Sequence, residues 1–298
     1  MSSISLDQIS PKKNGTKHIG DLVIITALPN AAAPVDVIDA ADEIDPSCLL
    51  SGLVPEHPPA DTLVFSRVKV AGQQGSKNSV RKCKDDSQFL TFSVEEPSPD
   101  EIAKKVDYKH IGHAELEKKT GQATATSPSA QKIVDAYHRN RGKLGANEWS
   151  ELYHKVLAIL GKYDVRDVGG CYFVPVSKTG ALSTEIRQLA VLFNRFGGNI
   201  MVLAQADTDA IQFAQPVTQG ITKQIDELKT KIDDFGDKTR ISTMESRIHD
   251  LSALKKQSRW VCGLLRTSAE AYEGRIDKLT EEVSQSLLTG LVDEAAAF

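Results

Sequence analysis

The sequence is short of aromatic residues and has no long apolar run. Aromatic residues make up 6% of the 298 residues, and so low a share indicates that part of the chain is extended or helical. No apolar run approaches the roughly 18 residues that a membrane-spanning helix needs. Residues 1–18 also lack the apolar core of a signal peptide. We therefore expect a cytoplasmic protein that does not enter a membrane.

Clustered cysteines and a large net charge are also missing. The four cysteines, at positions 48, 83, 171 and 262, form no CxxC pair and have no histidine at metal-ligand spacing. The formal net charge of −4 gives no overall attraction to nucleic acid or to anionic lipid. We therefore expect inert thiols, no metal site and no cofactor.

Lysine and arginine are absent between His18 and Ser66, and the charge then reverses. Residues 67–84 carry six cations and no anion. Two predicted strands, 63–70 and 88–96, would form a hairpin with a tip at 72–79. Such a hairpin predicts contact with nucleic-acid phosphates. The candidate residues are Arg67, Lys69, Lys77, Arg81, Lys82 and Lys84. The alternative is a solvated loop, or a loop that docks on the acidic segment before it, since no aromatic residue lies among the cations.

Residues 97–130 carry weaker patterns. Ser98 followed by Asp100 and Glu101 predicts a short helix over 99–106. Residues 110–113 spell HIGH, a motif of class I aminoacyl-tRNA synthetases. The polar residues before it make no buried strand and no lysine-rich loop follows, so we expect two exposed histidines in a loop. Residues 120–130 have the composition of a linker.

A helix–strand–helix–strand pattern over residues 147–204 is the clearest in the chain. Apolar residues at helical spacing cover 182–196, and the pair Gly197-Gly198 introduces the strand NIMVLAQA. The pattern predicts a β-α-β unit that needs further strands to complete its sheet. The loop between its first strand and its helix predicts weak anion binding through Ser177, Lys178 and Thr179. The alternative there is an ordinary capped turn.

From residue 207 onward the apolar spacing is that of long helices. The stripe includes Ile221, Ile225, Leu228, Ile232, Ile241, Met244, Ile248 and Leu251. With charges on the other faces, it predicts a helical hairpin or a coiled coil. Its helices could pair within one chain or between two chains, and the spacing is the same in both cases.

The pieces GGCYFVPV, TEIRQLAVLFNRFGG and ITKQIDELKTKIDDF resemble an uncharacterised family of bacteriophage and mobile-element proteins. They cover about residues 130–235. The resemblance implies an accessory protein of a phage or plasmid, acting in the host cytoplasm if it is phage-encoded. It supplies no activity and no catalytic residue.

Together these patterns predict an α+β protein. It would have a small mixed sheet with a β-α-β unit packed by helices, followed by a long C-terminal helical hairpin or coiled coil. The predicted regions are a flexible N-terminus (1–20), a β-rich region (21–119), a linker (120–130), a central αβ module (131–206) and C-terminal helices (207–298).

The leading hypothesis for function is a non-enzymatic interaction protein that associates with itself, or with another helical protein, through the C-terminal stripe. The first alternative is nucleic-acid binding by the cations of 67–84. The second is a nucleotide- or phosphate-binding enzyme at the 177–180 loop, which no base, metal cluster or nucleophile supports.

Overall fold

The computed structural model describes residues 17–73, 77–100, 105–166, 170–176, 184–235 and 239–296. They confirm the α+β class and fall into two compact units. The bundle unit takes the described residues of Met1–Ala27, Lys155–Ala190 and Asn199–Phe298. The meander unit takes those of Leu28–His154 and Val191–Gly198. The units therefore interleave along the chain, whereas composition had predicted consecutive regions.

The elements follow one another from a first strand at the N-terminus to three long helices at the C-terminus. Their bounds are β1 His18–Ala27, α1 Pro34–Ile44, α2 Leu49–Leu53, α3 Asp61–Val68, a 3₁₀ turn Lys69–Gln73, β2 Ser79–Asp85, β3 Phe89–Asp100, β4 Lys105–Glu117, β5 Gln122–Ala125, α4 Pro128–Asn140, α5 Ala146–Ile159, β6 Tyr163–Asp164, β7 Cys171–Pro175, α6 Thr184–Arg195, β8 Asn199–Ala206, α7 Ala210–Asp233, α8 Ile241–Leu264 and α9 Glu270–Ala296.

The sheet of the bundle unit has the strand order β6-β7-β1-β8, and each neighbouring pair is antiparallel. The predicted strands β7 and β8 run in the same direction but do not pair, because β1 lies between them. The sheet is thus completed by an N-terminal strand. Gly20 allows a close approach here, since a Cβ on it would lie 2.4 Å from the carbonyl oxygen of Val174 and 2.7 Å from the ring of Phe173.

Three helices, α7, α8 and α9, enclose the core of the bundle unit. The ring of Phe173 on β7 stacks on that of Phe213 on α7 at 4.6 Å, which joins sheet and helices. The apolar spacing had predicted two helices. The break between α8 and α9 contains Arg266 at φ 56°, and the N–H of Thr267 donates back to the carbonyl of Cys262 at 2.8 Å. This reversal ends α8 without a glycine or proline, so sequence composition did not mark it.

The sheet of the meander unit has the order β2-β3-β4-β5, with antiparallel neighbours throughout. Helices α3 and α4 contribute to the same core as one face of this sheet. Phe65 and Tyr137 meet edge to face at 5.5 Å, and the Tyr137 hydroxyl donates to the carbonyl of Gly121 at 3.0 Å. The buried hydroxyl of Tyr137 therefore has a hydrogen-bond partner within the core.

The strand predicted over 63–70 is wrong, because these residues form α3 and the start of the 3₁₀ turn. Val64 and Phe65 are adjacent and both buried, which suits a helix face better than a strand with one buried side. The basic hairpin is consequently built differently: β3 pairs with β2, the cationic stretch itself. Its tight turn forms at Asp86, whose carboxylate accepts from the N–H groups of Gln88 and Phe89 at 2.8 and 2.7 Å.

Three further predictions between 97 and 130 are wrong. Pro99 and Asp100 belong to β3 and pair with β4, so no helix starts there. His110 and His113 lie on β4, where the sheet fixes them, and not in a loop. The predicted linker 120–130 contains β5 and the first turn of α4, which Ser127 caps by accepting from the N–H of Ala130 at 3.3 Å.

Within the described ranges, no helix is long and apolar enough to cross a membrane.

Candidate functional site

The predicted association stripe lies in the core of the bundle unit. Ile221, Ile225 and Leu251 are fully buried, and Ile232 and Met244 are nearly so. Leu228 and Ile248 are partly buried against the same core, and Ile241 is half-buried at the start of α8. The stripe is thus a packing surface between helices of one chain. Little of it is left for a second chain.

Ion pairs at the rim of this core connect the same helices. Arg259 on α8 makes a two-bonded contact with Glu273 on α9, at 2.7 and 2.8 Å. This guanidinium holds the pKa of the Glu273 carboxyl below its ordinary value. Arg275 on α9 donates to Asp226 on α7 at 2.5 Å. Because three of the four groups are exposed, each pair contributes little to stability.

The cations predicted to bind nucleic acid do not form one free patch. On β2, Arg81 pairs with Glu95, Lys82 with Asp85 and Lys84 with Asp86. Arg67 pairs with Glu148 at 2.5 Å, Lys69 lies over the ring of Phe92, and Lys77 is exposed just before β2. Neighbouring carboxylates therefore offset much of the positive charge that the sequence shows as a run.

The predicted anion-binding residues Ser177, Lys178 and Thr179 lie outside the described residues. Elsewhere, Cys48 and Cys83 are exposed, and Cys171 and Cys262 are buried. Burial raises the pKa of both buried thiols, which makes them poor nucleophiles. Across the described part of the chain, no group of three or more metal-binding side chains comes together.

The outer edge of β8 differs from these surfaces, because no other strand pairs with it in the described part of the chain. The N–H of Ile25 donates to Gly170 at 2.8 Å and that of Val176 to Ile19 at 2.9 Å. Odd-numbered β1 residues therefore face β7, and even-numbered ones face β8. In an antiparallel ladder this alternation continues in the next strand. Given the pairing of Leu22 with Leu203, the backbones of Met201 and Leu203 point to β1.

The remaining residues of β8, Ile200, Val202 and Ala204, consequently direct their N–H and C=O groups to the free edge. The side chains between them are apolar and project into solvent: Met201 is 44% exposed and Leu203 is 42% exposed. The strand NIMVLAQA contains no charge, proline or glycine. It thus combines an unpaired backbone with exposed apolar side chains.

The other sheet edges carry the features by which proteins prevent edge pairing. Strand β6 has two residues and β5 has four. Strand β2 carries Arg81, Lys82 and Lys84, and its register shifts between Lys82 and Lys84, as at a β-bulge. Among the described strands, β8 is the long edge that has neither charge nor a short length to protect it.

The sequence predicted β8 as a strand but did not show that it lies at the edge of its sheet. The composition of NIMVLAQA is visible in the sequence, and an uncharged, proline-free strand is a recognisable pattern. Its place at the edge depends on the pairing of β1 with β7 and β8, which are more than 140 residues away in sequence. No local pattern reports that pairing.

Comparison with family models gives a match over most of the chain. A model described as a family of unknown function, DUF6744, matches residues 56–294. No curated protein and no solved structure matches this chain.

Proposed function

Because the chain belongs to the DUF6744 family, whose function is unknown, we propose a function from the structure: it is a non-enzymatic assembly protein that self-associates by pairing the β8 edges of two copies. The observation that carries this proposal is the free, uncharged edge of β8. Edge strands of this kind are templates for pairing with another strand.

A second copy of β8 is the occupant that the strand itself fits. In an antiparallel pair centred on Val202, each Val202 faces its counterpart, and Ile200 faces Ala204 of the other copy. All three residues have their backbone groups at the edge, so roughly six N–H···O=C bonds form. The resulting sheet would continue from one copy into the next around a two-fold axis.

The side chains agree with the same register. Met201 of each copy would lie opposite Leu203 of the other, which covers the two exposed apolar residues. Asn199 would lie opposite Gln205, so amide faces amide. No charge is brought against a like charge, because β8 has none. The strand is therefore complementary to itself in backbone, apolar and polar positions.

This proposal keeps self-association and changes the surface predicted for it. The apolar stripe of the helices is buried within the chain, whereas none of the described strands pairs with the outer edge of β8. The proposed contact is also formed by backbone bonds, which need no exposed helix face.

The test is Val202→Pro against its control Val202→Thr, with the oligomeric state followed by sedimentation velocity over a range of concentrations. Proline removes the N–H that points to the free edge and leaves the bonds of Met201 and Leu203 to β1. Threonine keeps both the N–H and the β-branched shape. We expect wild type and Val202→Thr to dimerise and Val202→Pro to remain monomeric with an unchanged circular dichroism spectrum.

Two results would contradict the proposal. One is a wild-type protein that stays monomeric at every concentration. The other is a folded Val202→Pro variant that dimerises as well as wild type, which would place the contact elsewhere.

A further inference from the structure

A cavity of about 350 Å³ lies within the meander unit, between α3 and the start of α5. One wall is apolar, with Val64 and Val68 of α3. The polar wall includes Arg67, also from α3, Lys143, from the turn after α4, and Glu148, from the first turn of α5. Its volume is at the lower end of the range for small-molecule sites, which sets the size of a ligand at that of a small metabolite.

An ion pair sits in the polar wall and fixes its geometry. One Glu148 oxygen accepts from the Arg67 guanidinium at 2.5 Å, and the other accepts from the N–H of Gly145 at 2.9 Å. Glu148 is 8% exposed, so it is a nearly buried carboxylate with both oxygens bonded. The guanidinium of Arg67 is thereby held at the cavity, and Glu148 accepts from only one of its nitrogens.

The charges that line the cavity do not cancel. Arg67 and Lys143 carry two positive charges and Glu148 carries one negative charge. Lys143 is exposed, and no carboxylate forms an ion pair with it among the described residues. The wall therefore has an excess of one positive charge beside an apolar surface.

The start of α5 adds to this positive potential. Gly145 is the capping residue, since its carbonyl accepts the first helical bond, from Trp149, at 3.1 Å. Glycine has no side chain with which to accept from the next amides. Gly145, Ala146 and Asn147 line the cavity, so the positive end of the helix dipole lies at its wall, with Glu148 as the acidic residue of the first turn.

We propose that this cavity binds a small organic monoanion, a carboxylate with a short apolar body. The carboxylate would be held by Arg67 and Lys143, and the apolar body would lie against Val64 and Val68. A single excess charge suits a monocarboxylate better than a phosphate dianion. This site is independent of the proposed pairing of β8, and it adds a ligand to a protein whose assembly surface lies in the other unit.

The test uses full-length protein titrated with butyrate and benzoate, and with butylamine as a cation of similar size. Binding is followed by amide chemical shifts in ¹H–¹⁵N spectra. The Lys143→Gln variant removes the unpaired cation. Arg139→Gln removes an exposed cation from α4 that does not line the cavity, and it is the matched control.

We expect the carboxylates, and not butylamine, to give saturable shifts centred on Arg67 and on residues 143–148. Loss of one exposed ion pair should weaken binding in Lys143→Gln by about two- to fivefold, with Arg139→Gln unchanged. Absence of saturable carboxylate shifts in wild type would overturn the proposal. Equal affinities for wild type and Lys143→Gln would also overturn it, as would equal binding of butylamine. Because the dimerisation assay reads β8 alone, failure of either proposal leaves the other standing.

Discussion

A charge exchange on β8 tests the register of the proposed dimer, and not merely its existence. In the pair centred on Val202, residue 201 of one copy faces residue 203 of the other. Met201→Glu alone places a carboxylate against Leu203, and Leu203→Lys alone places an ammonium against Met201. The double variant Met201→Glu/Leu203→Lys brings opposite charges together twice, once on each side of the two-fold axis.

The expected magnitudes follow from partial burial. Burying a whole methionine or leucine side chain contributes about 1.5–3 kcal/mol. Met201 and Leu203 are a little under half exposed, so each single variant loses roughly 1 kcal/mol per copy, or roughly 2 kcal/mol per dimer. That corresponds to a dissociation constant raised about thirtyfold.

The double variant should recover part of this loss. An opposite-charge pair directly across antiparallel strands contributes about 0.2–1 kcal/mol. Two such pairs in the dimer give a coupling of roughly 0.4–2 kcal/mol, or about two- to thirtyfold in the dissociation constant. The interaction energy from the double-mutant cycle isolates this term from the loss of apolar contact.

The assay is sedimentation velocity at several protein concentrations, at low and at high salt. The gain from roughly six backbone bonds, at a net 0.5–1.5 kcal/mol each, is of the same order as an association cost of about 4–15 kcal/mol. We therefore expect a weak dimer whose fraction depends on protein concentration, so that shifts of this size change the observed sedimentation coefficient. The recovery of dimerisation in the double variant should also become smaller at high salt, because salt screens the two charge pairs. The register would be refuted if the double variant lost more dimerisation free energy than the two single variants lose together.

Three further predictions concern the fold. Gly20→Ala should lower the free energy of unfolding by about 1–3 kcal/mol, because its Cβ would meet the backbone oxygen of Val174; thermal unfolding measures it, and an unchanged midpoint would contradict the packing. The N–H groups of Phe89 and Gln88, with Lys84, lower the pKa of Asp86 to about 2. Its unfolded pKa is about 3.9, so its stabilisation is present above about pH 4 and lost towards pH 2. Urea titrations should show that the free energy of unfolding falls less between pH 4 and pH 2 in Asp86→Ala than in wild type. An equal fall in both proteins would argue against this turn. Finally, a thiol reagent should label Cys83 quickly in the native protein and Cys262 only on unfolding; fast labelling of both would mean that the bundle core is open.

Local patterns predicted the fold where a segment's own residues decide its structure. The strand NIMVLAQA was predicted with its observed bounds, because Gly197-Gly198 ends the helix before it. The segment 63–70 failed because Leu63, Phe65, Val68 and Val70 satisfy a strand and a helix about equally over so short a run. Its burial beside α4 decided the outcome.

The candidate site was harder to predict, because it depends on which element lies next to which. An apolar heptad stripe has the same spacing whether its partner helix belongs to the same chain or to another one. The apolar faces of the three C-terminal helices pack against one another within the chain. The apolar stripe from which an interface was predicted therefore lies in a core. Similarly, the run of cations over 67–84 does not reveal that Glu148 lies beside Arg67 and Glu95 beside Arg81 in the folded protein.

The contrast between the two edge strands β2 and β8 joins these observations into one argument. Strand β2 carries three cations and a shift in register, and these are the devices that keep an edge from pairing. Its charge thus has a structural explanation that requires no nucleic acid. Strand β8 is of similar length and carries no charge, and the two register shifts in its pairing with β1 place the extra residue on β1. If both edges needed only to remain solvated, both would require protection. This contrast between the two edges supports the proposal that β8 pairs with a second copy of itself.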